Sequence, residues 1–486
     1  MSMRIGGLAS GMDIDTIVGD LMKAERIPLD KLAQKKTTLE WQRDDYRSMN
    51  KLLDELDKTI FSGITLQGNF TKKSIVSSNT SAVTATANGS AVNTNTKIEV
   101  SELATPALFI GGVKDLNGFK AIADATLKFS VTSGDGKTKE VEIAIKKDDN
   151  LDSVISKFNS SGLDVTAFYD TQKQQFVLTK KDTGSKSEIK VLDTNALNFM
   201  NDLGYSIAAV NDAVTKTGGS DAKFKINGYS TERSTNTFDI SGVTYTLQDV
   251  GKANISVSSD NNSTVDMIKK FVDKYNETIE AINKKTAETK YRDFPPLTDA
   301  QRKDLSEKEA ELWDEKAKSG MLRGDSILSN GLNTLRTELY KKVNTGDTKY
   351  DQLSEIGITT SSNYLAKGKL EFDEEKLRKA LAENPTAVMK LFTGEGEAEG
   401  IAKKLRKTIE QTVDKIELKA GNSLRTNAQF TLGKELTDVD KRISAFEDRL
   451  KQVEDRYWRQ FSAMESAIQR SNQQSMYLMQ QFGGGQ

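Results

Sequence analysis

Hydrolytic chemistry in a chain without histidine or cysteine must rest on carboxylates, lysine, tyrosine or hydroxyls, and this 486-residue sequence contains neither His nor Cys. Thiol nucleophiles, disulfides, imidazole bases, the usual zinc ligand sets and the Ser-His-Asp triad are thereby removed. Three adjacent acid pairs remain, Asp44-Asp45, Asp148-Asp149 and Glu374-Glu375. Neighbours in a helix or strand point apart, whereas glycoside cleavage needs two carboxyls facing each other across roughly 5–10 Å. Solvated or helix-start charge accounts for them better. The stretch 393–400, TGEGEAEG, shares only its glycines with a phosphate loop, being acidic and lacking Gly-Lys-Ser/Thr. No catalytic residue, cofactor or metal is therefore expected, and the chain reads as a non-enzyme.

Whatever the chain does must then come from surfaces and the elements that carry them. A net charge of −1 and a pI near 6.1 supply no field for nucleic acid or anionic lipid. No apolar run approaches a membrane span, so membrane insertion is not expected. Asp13, Asp15 and Asp20 interrupt the place where a secretory signal needs an apolar core, so no ordinary signal is expected.

Both ends of the sequence carry heptads. Near the C-terminus Leu436, Ile443, Leu450 and Tyr457 occupy a, and Val439, Phe446 and Val453 occupy d, before a stutter leads to Phe461, Met464 and Ile468. Arg442 and Arg449 fall at g, Glu447 and Glu454 at e. A parallel neighbour would pair Arg442 with Glu447 and Arg449 with Glu454. At the N-terminus, Asp13 or Asp15 can cap a helix whose seam runs Ile17, Leu21, Leu32, Leu39, Tyr46, Met49, Leu53, Leu56 and Ile60. Pro28 should kink or divide that helix, having no N–H to donate. Trp41 lies off the seam and is expected to pack. A seam of this kind closes either on its own chain or on other subunits. The candidate oligomer or filament interface comprises Ile17, Leu21, Leu32, Leu39 and Tyr46 on the first helix. On the last it comprises Leu436, Val439, Ile443, Phe446, Leu450, Val453, Tyr457, Phe461, Met464 and Ile468.

The middle has a different character. Alternation from Thr71 onward, continuing through Ile98-Glu99-Val100 and Leu108-Phe109-Ile110, reads as strands. A compact β/α unit follows, and residues 222–257 return to strands that could complete the first sheet. The expected class is α+β multidomain: N- and C-terminal coiled-coil helices form a leg, with nested β-rich head domains inserted between them. The expected divisions are 1–40, an N-terminal leg helix; 41–72 with 263–430, a helical domain in two parts; and 73–115 with 218–262, a β-rich domain in two parts. To these are added 116–217, an inserted β/α module, and 431–486, the C-terminal leg. Thr298 with Gln301 and Ser306 with Glu309 are capping boxes.

Certain words in the sequence carry a family likeness. Gly7-Leu8-Ala9-Ser10-Gly11-Met12-Asp13-Ile14-Asp15, with Leu21-Met22, Ala24-Glu25 and Pro28-Leu29, resembles the opening of the bacterial flagellar filament cap family, also called hook-associated protein two. Asp221-Ala222, Ile226-Asn227-Gly228, Ser241-Gly242-Val243-Thr244, Gly320-Met321-Leu322, Ile356-Gly357-Ile358 and Asn384-Pro385 are similar to its later half. The likeness is weakest over about 117–217. It implies a homo-oligomeric ring, with a pentamer favoured and a tetramer or hexamer possible, seated extracellularly at the filament tip. It also implies that exported flagellin folds and inserts beneath the ring and that the protein travels through the flagellar export apparatus. Hook-filament junction proteins and an export chaperone are the other implied partners, the chaperone segment by analogy being Met476, Tyr477, Leu478, Met479 and Phe482. A coiled-coil surface adhesin or scaffold, another flagellar junction protein and a carboxylate hydrolase are the competing readings.

Overall fold

In the computed structural model residues 12–363 and 366–482 are described, the side chain of Phe482 excepted. The family words before Met12 lie outside the described residues. By contacts the chain divides into two compact units, one built from residues up to 70 and from 261 onward, the other from 71–260.

The helical unit opens with α1 (Ile14–Ser62), capped by Asp13, whose Oδ1 accepts from the Thr16 amide at 3.0 Å, and the single turn α2 (Gln67–Phe70). α1 runs unbroken through Pro28, so the expected division is corrected. The Ala24 carbonyl does lose its intrahelical donor there. Ties to the last helix, described below, fall on either side of the proline, at Glu25 and Lys36.

In the second unit two cores are stacked along the chain. β1 (Lys73–Ser77), β2 (Val83–Ala87) and β3 (Thr94–Glu102) begin the first, and β4 (Pro106–Ile110) leaves it. The module between contains β5 (Ala125–Thr132), β6 (Thr138–Ile145), α3 (Leu151–Ser160), β7 (Val165–Asp170), β8 (Gln175–Thr183), β9 (Glu188–Val191), α4 (Thr194–Asp202) and β10 (Lys216–Gly218). The chain then returns through β11 (Ala222–Ile226), β12 (Tyr229–Arg233), β13 (Thr237–Ile240), β14 (Val243–Leu247) and β15 (Gly251–Ser259). β15 lies between β1 and β3 in the five-stranded order β1-β15-β3-β11-β12, and β14 lies between β13 and β2. Outgoing and returning segments thus share both sheets. Phe224, Phe238 and Tyr245 stack between them, centroids 4.7 and 5.6 Å apart.

Two hairpins follow from local residue choice. Asn227 and Gly228 both have positive φ, as do Ser241 and Gly242, which is what a two-residue turn matching strand twist demands.

β4 departs from the expected division at 115/116. It pairs with β8 and β10 in the order β10-β4-β8-β7, and Ala107 and Phe109 are buried in the module's core. Alternation marks a strand but not the sheet it joins, and here Tyr205 decides: its buried Oη lies 3.1 Å from both the Phe109 and Phe176 carbonyls. The chain enters and leaves the module on neighbouring strands, Leu108 opposite Thr217. β6-β5-β9, α3 and α4 complete this core around the edge-to-face series Phe129, Phe158, Phe176.

The helical unit resumes with α5 (Asn261–Ala287), α6 (Asp299–Asp304), α7 (Glu307–Lys318) and α8 (Ser326–Leu339). Both capping boxes form, at Thr298 with Gln301 and at Ser306 with Glu309. β16 (Ile358–Thr360) pairs with β17 (Leu370–Phe372), and α9 (Glu374–Glu383) and α10 (Pro385–Thr393) follow. The acidic Gly-rich loop folds as a minimal hairpin, β18 (Gly394–Glu395) on β19 (Ala398–Glu399). α11 (Ile401–Ala420) and the 52-residue α12 (Thr431–Phe482) end the described chain. One core joins Leu53, Leu56 and Ile60 of α1 with Ile268, Phe271 and Tyr275 of α5, Leu405 and Ile409 of α11, and Leu436 and Val439 of α12.

Two outcomes are expected from this packing. Leu56, fully buried, should cost about 2–5 kcal/mol on truncation to Ala, read as a lower denaturation midpoint of the helical unit. Pro28→Ala should stabilise α1 by on the order of 1–3 kcal/mol by restoring a donor to Ala24. Slower amide exchange over residues 24–32 would show it, and unchanged exchange would mean that packing on α12 already absorbs the cost.

Candidate assembly interface

α1 and α12 lie antiparallel. Tyr457 Oη donates to Glu25 Oε1 at 3.0 Å, Lys36 Nζ meets Asp440 Oδ1 at 2.8 Å, and Arg47 stands 5.6 Å over the Phe430 ring just before α12 begins. Residue numbers therefore fall on one helix as they rise on the other. The Asp440 carboxylate holds Lys36 above the ordinary lysine range. A raised lysine pKa adds stability that is present below the unfolded value and lost as pH climbs through the folded one. Because both partners are more than a third exposed, screening leaves that tie worth under about 1 kcal/mol.

The expected interface residues divide into three groups along this hairpin. Leu39, Tyr46, Leu436 and Val439 belong to the chain's own core, with Ile443 packed against it, so the expectation that they face another subunit is corrected. The physical reason is that α5, α8 and α11 converge on this end of the pair. Tyr46 additionally donates its Oη to Asp325, the N-cap of α8; burial first, and that bond second, push its phenol well above the usual range. Leu450 and Val453 are buried outside that core, at the height where α1 is the neighbour. The remainder, Ile17, Leu32, Phe446, Tyr457, Phe461, Met464 and Ile468, are half-buried, and Leu21 is exposed.

Three seam residues escape the heptad reading: Ile14, Val18 and Leu29 are buried where Ile17, Leu21 and Leu32 were expected. Their spacing holds the missed signal. Val18 to Leu29 is eleven residues, and on α12 Val453 to Met464 is eleven as well. Eleven residues in three turns relax the supercoil that a heptad imposes. Both helices thus depart from a strict heptad, each over its own stretch.

Among the described residues Arg442 and Arg449 do not meet Glu447 or Glu454 of their own chain. Arg442 approaches Asp438 at 4.0 Å and Arg449 lies 5.8 Å from the Phe446 ring centroid, while Glu447 and Glu454 are exposed. Beyond residue 468, α12 is exposed at every described side chain, including Met476, Tyr477, Leu478 and Met479. Trp41 is half-buried, with Lys318 Nζ 5.2 Å from its ring centroid.

The acid pairs have structural partners. Asp45 binds Lys285 at 2.8 Å and burial raises its carboxyl above the ordinary value; Asp149 binds Lys157 and accepts from the Lys146 amide, which hold it low; Glu374 and Glu375 open α9.

The chain is of the α+β class, its first and last helices packed on each other through apolar seams and its β-rich segments nested between them in sequence. Over residues 219–473 the sequence matches the family described as flagellar hook-associated protein 2 C-terminus, over 10–107 its N-terminus, and over 126–182 the flagellin hook IN motif. It is 34% identical to the flagellar hook-associated protein 2 of Halalkalibacterium halodurans, across 99% of this chain and 100% of that one. It is 28% identical to the A-type flagellar hook-associated protein 2 of Pseudomonas aeruginosa, across 99% and 97%. In fold it is similar to the crystal structure of the D1-D2-D3 domains of the flagellar cap protein FliD from Escherichia coli, with a TM-score of 0.59 and 22% identity over 82% of this chain and 99% of that one. The chain belongs to the flagellar hook-associated protein 2 family, as the likeness in its sequence words implied.

The seam should outweigh the ties in holding the hairpin. Leu450→Ala with Val453→Ala is expected to expose α12 to limited proteolysis between 440 and 470 and to cost several kcal/mol. Lys36→Met should change the same digest hardly at all; comparable sensitivity in the two variants would contradict this ranking.

Proposed function

We propose that this chain caps the distal end of the bacterial flagellar filament as a homo-oligomeric ring, a pentamer favoured over a tetramer or hexamer. The observation that carries this reading is a two-helix leg whose cover runs out along its length. Its seam passes from buried Leu436 and Leu450 through half-buried Phe461 and Met464 to exposed Met476 and Met479. A surface graded in this way is finished by neighbours and not by its own chain. The names of the relatives supply the setting.

Acting without catalysis, the ring retains exported flagellin and offers a sheltered place where each subunit folds and inserts. Burial of flagellin's own apolar surface drives each step. Mismatch between ring and filament symmetry keeps several leg contacts weak enough to exchange. The protein reaches the filament tip through the flagellar export apparatus, passes the hook-filament junction proteins, and works outside the cell. Before export, Met476, Tyr477, Leu478 and Met479 are the apolar segment for an export chaperone; Phe482, part of the same segment, has its side chain outside the described residues.

Purified protein added to cells lacking their cap should restore filament growth, and electron microscopy with a label in the module between β4 and β10 should show it at filament tips. Removing residues 469–482 should leave the folded body intact by circular dichroism and reduce restoration at least tenfold. Label along the shaft with none at the tip would overturn the assignment.

A further inference from the structure

The two flanks of the α1–α12 hairpin differ in charge. Positions g and e lie on opposite sides of an a/d seam. On the g side Arg442 and Arg449 of α12 stand beside Lys31 and Lys35 of α1, around a groove of about 590 Å³ floored by Leu32 and Phe446. On the e side α12 presents Glu447 and Glu454, both exposed, in line with Asp440, which Lys36 already neutralises. Among the described residues none of Lys31, Lys35, Glu447 and Glu454 has an ion-pair partner in its own chain. Both columns repeat every seven residues, about 10.5 Å along a helix.

We propose that the basic groove of one leg receives the acidic flank of a second copy's leg. The two α12 helices run parallel, Arg442 opposite Glu447 and Arg449 opposite Glu454, with Lys31 and Lys35 flanking the incoming acids. The matched seven-residue repeat of the two columns on one helix is what selects a second copy over an unrelated acidic partner. Giving and receiving surfaces differ, so the contact is heterologous: it repeats from copy to copy and ends only when the ring closes. Exposed pairs of this kind are individually weak, so they set register and direction more than affinity. The assignment rests on the ring reading above and adds the surface through which legs meet.

A chain without cysteine allows a direct test in the full-length protein. Arg442→Cys with Glu447→Cys cannot bridge within one helix, because the two positions lie on opposite flanks. Mild oxidation should produce a disulfide-linked ladder ending at the ring number. Each single variant, and the outer-face pair Lys441→Cys with Asp448→Cys, should stay at least tenfold less linked. An oligomer by sedimentation that gives no ladder, or single variants linking as well as the pair, overturns the proposal. In a second arm, Glu447→Lys with Glu454→Lys should weaken oligomerisation at low salt, and adding Arg442→Glu with Arg449→Glu to the same chain should restore it; failure to restore also overturns it. If ladders form while label is absent from filament tips, the capping role fails and the leg contact stands. Restored filaments without ladders mean the reverse.

Discussion

A long amphipathic helix must have its apolar stripe covered along its whole length, and α12 meets that demand only in part. Its first turns sit in the helical body, where Leu432, Leu436 and Val439 are almost completely hidden. Farther on, among the described residues, α1 is the main neighbour, and one helix covers a stripe of about 100° incompletely. Past residue 468 the described side chains are all exposed. Tertiary packing, not propensity, supplies most helix stability, so the hairpin should be firm at the body and progressively softer away from it.

Polar contacts set where these helices sit without supplying much of their stability. Arg406 grips Asp57 through two hydrogen bonds of 2.8 and 3.1 Å, joining α11 to α1. Arg47 reaches the Ala420 and Asn422 carbonyls at the end of α11, where a cation suits the helix dipole, and lies over Phe430. That corner also needs Gly421, at φ +65°, because a Cβ there would fall within 2.4 Å of the Phe430 ring. Together these contacts pin the turn between α11 and α12 and so aim the last helix back along the first.

How much of this was legible in the sequence depended on the range of the interaction. Capping at Asp13, Thr298 and Ser306 and the turns at Asn227-Gly228 and Ser241-Gly242 involve residues a few places apart, and the structure has them where local chemistry puts them. The existence of both terminal helices was equally plain from periodicity. Phase was harder. Ile14, Val18 and Leu29 are buried in place of Ile17, Leu21 and Leu32 because α1 leaves the heptad between Val18 and Leu29, and only its packing on α12 shows which phase is covered. Pro28 misled because its local cost is real but the packing of α1 on α12, with Leu29 buried, overrides it. β4 alternates like any half-buried strand, and only Tyr205, some hundred residues on, shows which sheet it joins. Along the two seams the residue types were legible and the choice of what covers them was not, since Leu39 and Leu32 look alike until the converging helices are placed.

The nested order of the chain makes the hairpin one of its contacts of longest range. Glu25 and Tyr457 are 432 residues apart in sequence. The entropy of closing so long a loop grows only logarithmically, by about 0.6 kcal/mol per doubling, so the cost is kinetic more than thermodynamic. Once the body has folded the cost falls sharply, because α11 and the pinned corner at Gly421 already deliver α12 beside α1. Until then the apolar residues of α1 from Ile14 to Leu29 lack the helix that runs beside them.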